Sequence, residues 1–266
     1  MTYFKKIIME DRSYQLSWLI MLILGCLFSV SRIHTHELSA QGLPVLNYFL
    51  VDVWDNSLEQ SFLILFPMIA IIPSVHIFSN EVHRKHYAMT RIPMRKYIRQ
   101  MCISAFLSSF VLALFFLLSC FLFTYMIVYF PTQDYYSPLM MFSVNNTSLM
   151  KMMILSPSLF LMHPSLYLLA YLIFISLFSG VLGILSALGC YLMETKYLSY
   201  LFPYIIYLFV DLLGIPLRSL GIPMIQSIFS PFEIVLKYSS LMLGLYPLLF
   251  VFIIGVLLYI LVTQIC

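Results

Sequence analysis

The chain has 266 residues, of which 62% are hydrophobic and only 9% are charged, and its formal net charge at pH 7 is +3. A soluble globular domain carries about 25% charged residues, so this composition excludes an ordinary soluble fold and predicts an all-α, polytopic membrane protein. The small net charge gives no reason to expect a nucleic acid partner. The five cysteines lack the spacing of a metal or disulfide framework and are expected to act as small apolar side chains.

The N-terminal residues place apolar side chains on one face of a short helix: Tyr3, Phe4, Ile7 and Ile8. Lysines on the other positions make this segment amphipathic, which is typical of a helix that lies in the membrane interface. The sequence therefore predicts an interfacial helix before the first span. A frayed polar N-terminus is the alternative.

Six apolar runs follow that suit the hydrocarbon core of a bilayer, which is about 30 Å thick. They predict a single transmembrane domain with spans at about residues 16–31, 58–79, 101–130, 166–192, 197–215 and 241–262. The polar or proline-interrupted stretches between them predict outer loops at residues 32–57, 131–165 and 216–240. His34 and His36, in the first of these loops, are expected to be solvated and not to bind a metal.

The predicted loop between spans two and three, residues 80–99, is strongly basic. It contains six Lys or Arg residues: Arg84, Lys85, Arg91, Arg95, Lys96 and Arg99. Short loops of this kind stay on the cytoplasmic side of a membrane. An even number of spans then places both termini in the cytoplasm, and ten of the 14 Lys and Arg residues fall on that side. We expect a multi-pass protein of the cell membrane.

Sequence patterns of catalysis are missing from the chain. It contains no GxxxxGK[ST] phosphate loop, no HExxH zinc motif and no GxSxG nucleophile elbow. An intramembrane enzyme is disfavoured because no two ionisable residues within the predicted spans are placed to act together. Asp211, inside the fifth span, has several interpretations: it faces a cavity, pairs with a basic group such as Arg218, caps the following segment, or is a carboxylate that reaches the outer headgroups.

A loose motif accompanies the basic loop. Glu81 follows span two, and about ten residues later Ile92-Pro93-Met94-Arg95 leads into span three. Together with the six spans and the N-terminal amphipathic segment, this order of features resembles the permease subunit of type-two ABC exporters. The bulky residues from His83 to His86 stand where that family commonly has a glycine.

The resemblance implies that this chain is not an enzyme by itself and binds no cofactor, since ATP and Mg²⁺ would bind to a separate ABC ATPase subunit. It implies that this ATPase docks on the following residues: Glu81, Arg84, Lys85, Tyr87, Arg91, Pro93 and Arg95. A second permease subunit, identical or related, is expected beside it in the lipid bilayer. The segment after span five is expected to form short re-entrant helices on the outer side, and a candidate substrate path or gate comprises Asp211, Pro216, Pro223 and Phe232.

The leading hypothesis is the export of an apolar or amphipathic substrate, such as a peptide, a lipid or a drug-like molecule, because the spans offer few charges. The alternative is a membrane scaffold or regulatory subunit that transports nothing. The basic loop likewise has two interpretations, since its cations either dock a partner or serve only orientation and contact with anionic headgroups. Co-purification of an ATPase would discriminate between these hypotheses.

Overall fold

The structure is a computed structural model of the chain. It describes residues 12–37, 69–72, 74–75, 78, 93–129, 164–193, 196–218 and 241–265. This part of the chain is helical and contains no strand, which confirms the predicted helical class there. The long helices are α1 (Arg12–Glu37), α2 (Met94–Tyr129), α3 (Pro164–Leu192), α4 (Lys196–Arg218) and α5 (Leu241–Ile265). A further helical piece, here called the 69–78 segment, comprises residues 69–72, 74–75 and 78.

Helix α2 begins at Met94, several residues before the predicted span 101–130. Its first turn is fixed by the carbonyl oxygen of Pro93, which accepts hydrogen bonds from the backbone N–H groups of Lys96 (2.9 Å) and Tyr97 (3.0 Å). Proline suits this position because the start of a helix requires no N–H donor. The last part of the predicted basic loop is therefore the start of α2.

Helix α4 also extends beyond its predicted span, 197–215. It continues through Pro216 and ends at Arg218, so the predicted interruption at residue 216 does not end the helix there. A proline removes one backbone hydrogen bond from a helix, and the neighbouring turns can hold the chain in helical form around it.

Helix α3 is the centre of the described bundle. Its side chains from Leu172 to Leu192 are mostly buried, and α2, α4 and α5 all pack on it, while α1 packs on α2. Pro164 at its first position matches the preference of proline for the first turn of a helix.

Helices α1 and α2 run in the same direction. The rings of Trp18 and Phe115 lie 4.6 Å apart, and further along both helices the Ser29 hydroxyl lies 2.9 Å from the carbonyl oxygen of Cys120. The Ser29 hydroxyl is also 2.9 Å from the carbonyl oxygen of Gly25 in its own helix. This polar contact joins α1 to α2.

Helices α2 and α4 both run antiparallel to α3. Gly183 of α3 lies against Ala105 of α2, whereas Cys190, further along α3, shares a buried cluster with Tyr97, near the start of α2. On the other side of α3, Phe202 packs against Gly189 and Tyr207 packs against Phe178, with ring centroids 6.3 Å apart.

Helix α5 runs parallel to α3. Gly255 lies against Leu185, and Val262, two turns further along α5, joins the buried cluster that contains Cys190. The five helices thus fall into two groups by direction, with α1, α2 and α4 pointing one way and α3 and α5 the other.

Two segments of the described helices are long and apolar enough to cross a membrane, Met94–Met126 and Leu172–Leu192. Shorter apolar stretches lie in the other three helices, at Tyr14–Leu27, Tyr200–Phe209 and Val251–Ile260. The core helix of a soluble protein would also satisfy this criterion. The side chains on the outer surface of the bundle are therefore needed to distinguish a membrane environment from an aqueous one.

That outer surface is apolar over most of its length. Large aliphatic or aromatic side chains are exposed on every outer helix, among them Leu19, Ile23, Leu107, Val111, Leu118, Leu201, Ile205, Phe252 and Leu257. Monomeric soluble proteins rarely expose a contiguous apolar area of more than a few hundred Å². A surface of this kind is typical of helices that face lipid.

Among the side chains whose exposure the structure describes, the exposed polar ones lie at one end of the bundle. They are Gln15, Arg95, Lys96, Arg99, Tyr197 and Gln264. These residues lie near the starts of α1, α2 and α4 and the end of α5, and we call this end the polar end.

Candidate docking site at the polar end

The polar end is built on one buried cluster. Its members come from the 69–78 segment, α2, α3 and α5: Val75, Phe78, Tyr97, Ile98, Met101, Cys102, Ala105, Ala187, Leu188, Cys190 and Val262. Partly buried Tyr14 of α1 and Tyr200 of α4 pack against it. All five helices therefore meet at this end, which ties the polar surface to the whole described bundle.

The first two turns of α2 divide into a buried face and a charged face. Tyr97, Ile98 and Met101 are fully buried in the cluster, whereas Arg95, Lys96 and Arg99 are exposed. The first turn contains no acidic residue. In the described part of the polar end, these three cations thus lie beside close-packed, buried side chains, and no carboxylate lies next to them.

Beneath this charged face, a group of serine hydroxyls joins the 69–78 segment to α2. The Ser74 and Ser109 hydroxyls share a hydrogen bond with an Oγ–Oγ distance of 2.7 Å, and Ser74 Oγ lies 3.1 Å from Ser108 Oγ. Ser108 in turn donates to the carbonyl oxygen of Ala105 at 3.0 Å. These hydroxyls are buried, so their mutual bonds remove the cost of leaving polar groups unsatisfied away from water.

Helices α2 and α3 are in close contact beside these serines, at Gly183. A Cβ atom added there would lie 2.5 Å from Ser109 Oγ and 2.7 Å from the carbonyl oxygen of Ala105. Both distances are shorter than van der Waals contact, so only glycine allows this separation of the helices. The cluster, the serine group and this close contact together fix the position of the start of α2.

Two of the residues predicted for docking lie in this region. Pro93 and Arg95 are both exposed at the start of α2, two residues apart and on the polar end. Lys96 and Arg99 accompany them on the same charged face. The predicted residues that lie outside the described part of the chain are Glu81, Arg84, Lys85, Tyr87 and Arg91 of the docking set, and Tyr3, Phe4, Ile7 and Ile8 of the interfacial helix.

Two of the residues predicted for a substrate path are placed by the structure, and neither is part of this site. Asp211 and Pro216 belong to α4, beyond Tyr207 and therefore towards the opposite end of the bundle from Arg95. Pro223 and Phe232 lie outside the described residues. The described members of the docking and path predictions thus lie towards different ends of the bundle.

Sequence reasoning missed the close contact between α2 and α3. A signal for it is present in α3, where small residues recur at helical spacing as Ser176, Gly180, Gly183 and Ala187, all of them buried. Small residues on one face of an apolar helix allow another helix to approach closely. No such pattern predicts the hydrogen bonds of Ser74, because its partners belong to a different helix.

Within the described ranges no group of three or more His, Cys, Asp and Glu residues is placed to hold a metal ion. The exposed Arg and Lys side chains of the polar end can pair with anionic groups. No family model matches the chain, and no curated protein or solved structure is significantly similar to it.

Proposed function

We propose that this chain is the membrane-spanning permease subunit of an ATP-binding-cassette transporter, and that it exports an apolar or amphipathic substrate with ATP hydrolysed by a separate subunit. In this proposal the chain crosses the cell membrane six times, with both termini and the polar end in the cytoplasm. The observation that carries it is the polar end itself, where exposed cations lie beside a buried cluster that is formed by α2, α3, α5 and the 69–78 segment and contacted by α1 and α4.

The directions of the helices support six crossings. Because α1 and α2 point the same way, the chain between them has to cross the membrane an odd number of times, and the apolar run at 58–79 can supply one crossing. Helices α2, α3, α4 and α5 then alternate in direction along the chain, as four consecutive crossings would. Residues 130–163 and 219–240 need not cross the membrane in this arrangement.

The distribution of charge supports the orientation. Arg95, Lys96 and Arg99 are exposed at the same end as the starts of α1 and α4 and the end of α5. Cytoplasmic loops carry the excess of Lys and Arg in membrane proteins, so this end would face the cytoplasm.

The packing of α2 supports a mechanical role for its start. A partner that pairs carboxylates with Arg95 would be bound to a helix whose neighbouring side chains, Tyr97 and Ile98, are completely buried. Close-packed interiors transmit displacements because they cannot be compressed. A tilt of the docked partner would therefore move α2 together with α3, and would rock the spans between inward-open and outward-open states.

The interior of the described bundle supports an apolar or amphipathic substrate. Among the side chains whose exposure the structure describes, the buried polar ones are nine serines and one threonine, and none of the charged ones is buried. Several of these hydroxyls donate to carbonyl groups three or four residues earlier in their own helix, as Ser176 does to Leu172 at 2.7 Å. Such an interior offers little to an ion or a sugar.

The proposal predicts that an ABC ATPase co-purifies with the full chain after mild detergent extraction. Arg95→Glu should reduce the retained ATPase at least about tenfold, because a reversed charge at the interface would face the carboxylates that Arg95 pairs with. Gln264→Glu also introduces a glutamate at an exposed position of the polar end, with a charge change of −1 instead of −2, and serves as the control. We expect it to retain the ATPase.

Mass spectrometry of the purified complex identifies and quantifies the ATPase. If the wild-type chain retains no ATPase under conditions in which it stays folded, the non-transporting scaffold becomes the better hypothesis. If Arg95→Glu and Gln264→Glu retain it equally, the start of α2 is not the docking site.

A further inference from the structure

The outward face of α2 forms a continuous stripe that begins with cations and continues with aliphatic side chains. Arg99, Ile103, Leu107 and Val111 follow each other at intervals of four residues, and Lys96 lies three residues before Arg99. Residues at these spacings occupy the same face of a helix. All five side chains are exposed, so the surface that they form faces away from the bundle. The two cations lie at the end of this surface that is nearest the polar end.

This placement fits the depth of a phospholipid headgroup. About 40 Å of helix separates Arg99 from Met126 at the usual rise per residue, which is close to the thickness of a bilayer with its headgroups. Ile103, Leu107 and Val111 would then lie at the depth of the acyl chains. Lys96 and Arg99 would lie at the depth of the phosphates of the adjacent leaflet.

The electrostatics of the position favour an anion there. Both cations belong to the first two turns of α2, where the positive end of the helix dipole disfavours Lys and Arg. No acidic residue occurs in the first turn, and none lies at the polar end within the part of the chain that the structure describes. A phosphate beside Lys96 and Arg99 would offset this unfavourable field, and the guanidinium of Arg99 can donate two parallel hydrogen bonds to it.

We propose that Lys96 and Arg99 bind the headgroup of an anionic phospholipid whose acyl chains lie along Ile103, Leu107 and Val111. Arg95 lies on the same face, four residues before Arg99. It is therefore one turn further out than the proposed headgroup site, where it takes the docking role. The lipid site depends on the placement of α2 in a membrane but not on an ATPase, so each proposal can fail without the other.

The test is a titration of the purified full chain, in detergent micelles, with phosphatidylglycerol and with phosphatidylcholine of the same acyl chains. Bound lipid is counted by native mass spectrometry. The wild-type chain should prefer phosphatidylglycerol, and the double variant Lys96→Gln/Arg99→Gln should bind it about 30-fold more weakly, because each cation contributes about fivefold beside an anionic lipid. The charge-preserving variant Lys96→Arg/Arg99→Lys should keep the preference and shows that the site tolerates substitution.

A comparison of single variants separates a site from general attraction between opposite charges. Arg99→Gln should weaken phosphatidylglycerol binding about fivefold, whereas Arg95→Gln, one turn further out, should weaken it less than about twofold. Equal losses in the two variants would overturn the proposal, as would a wild-type chain without preference for the anionic lipid. Loss of a co-purified protein from Lys96→Gln/Arg99→Gln, with phosphatidylglycerol binding unchanged, would instead assign these cations to protein docking.

Discussion

Replacing Gly183 with alanine is expected to destabilise the folded bundle by about 1–3 kcal/mol, the usual cost of overpacking a well-packed interior. The new methyl group would lie 2.5 Å from Ser109 Oγ and 2.7 Å from the carbonyl oxygen of Ala105. The Ser109 hydroxyl can rotate only by giving up its 2.7 Å hydrogen bond with Ser74, and the backbone carbonyl can move only if α2 and α3 separate. The free energy of unfolding in mixed detergent micelles, titrated with SDS, measures the effect.

Gly255→Ala is the matched control, because a Cβ atom at Gly255 would lie 3.7 Å from Leu185 Cδ2, an ordinary contact. Alanine has a higher helix propensity than glycine by about 1 kcal/mol, so this variant should be neutral or slightly more stable. Equal stability of the Gly183→Ala and Gly255→Ala variants would contradict the close approach of α2 and α3.

Val111→Arg should sharply reduce the amount of chain that is integrated into the membrane. Val111 is exposed on the outer face of α2, near the middle of the helix. An arginine at the centre of a membrane-spanning helix costs about 2.5–3.5 kcal/mol on insertion scales. The amount of full-length protein that resists alkaline extraction from membranes measures the effect.

Gln100→Arg places the same charge on the same helix near the polar end and provides the control. There a long cationic side chain can reach the headgroups, so we expect normal integration. On the surface of a soluble protein, by contrast, Val111→Arg would change stability by less than about 0.5 kcal/mol. Normal amounts of well-folded Val111→Arg protein would therefore contradict a lipid-facing α2.

The positions of the helices along the chain could be predicted from sequence. The runs predicted at 166–192 and 241–262 lie inside α3 and α5 with nearly the same bounds. Apolar length is a strong signal because a span has to match the thickness of the bilayer. Helix ends were predicted less well, since α2 extends into the basic stretch up to Pro93 and α4 continues through Pro216.

The packing of the helices could not be predicted in the same way. In a soluble helix the polar face shows which side is outside, but the exposed Ile103 and Leu107 of α2 are as apolar as the buried Leu112 and Phe116. A pattern of apolar and polar residues therefore does not distinguish a face that contacts lipid from one that contacts another helix. Small residues such as Gly183 were the available signal.

The candidate site was predicted in part. Sequence analysis placed Arg95 in the basic loop that leads into the third span, whereas the structure has it exposed in the first turn of α2, at the polar end. What the sequence could not indicate is that the neighbouring Tyr97 and Ile98 belong to a cluster shared with α3 and α5. This shared packing depends on contacts between residues far apart in the chain. The proposal that a docked partner moves α2 together with α3 rests on it.

In the proposed arrangement, α2 crosses the membrane with its basic end in the cytoplasm. The most direct test of this arrangement is the labelling of Lys96→Cys and Tyr129→Cys, each in a chain without its native cysteines, by a membrane-impermeant thiol reagent. In intact cells the reagent should label Tyr129→Cys only, and it should reach Lys96→Cys once the membrane is permeabilised. Labelling of Lys96→Cys in intact cells would contradict the proposed orientation and, with it, docking of a cytoplasmic ATPase at the start of α2.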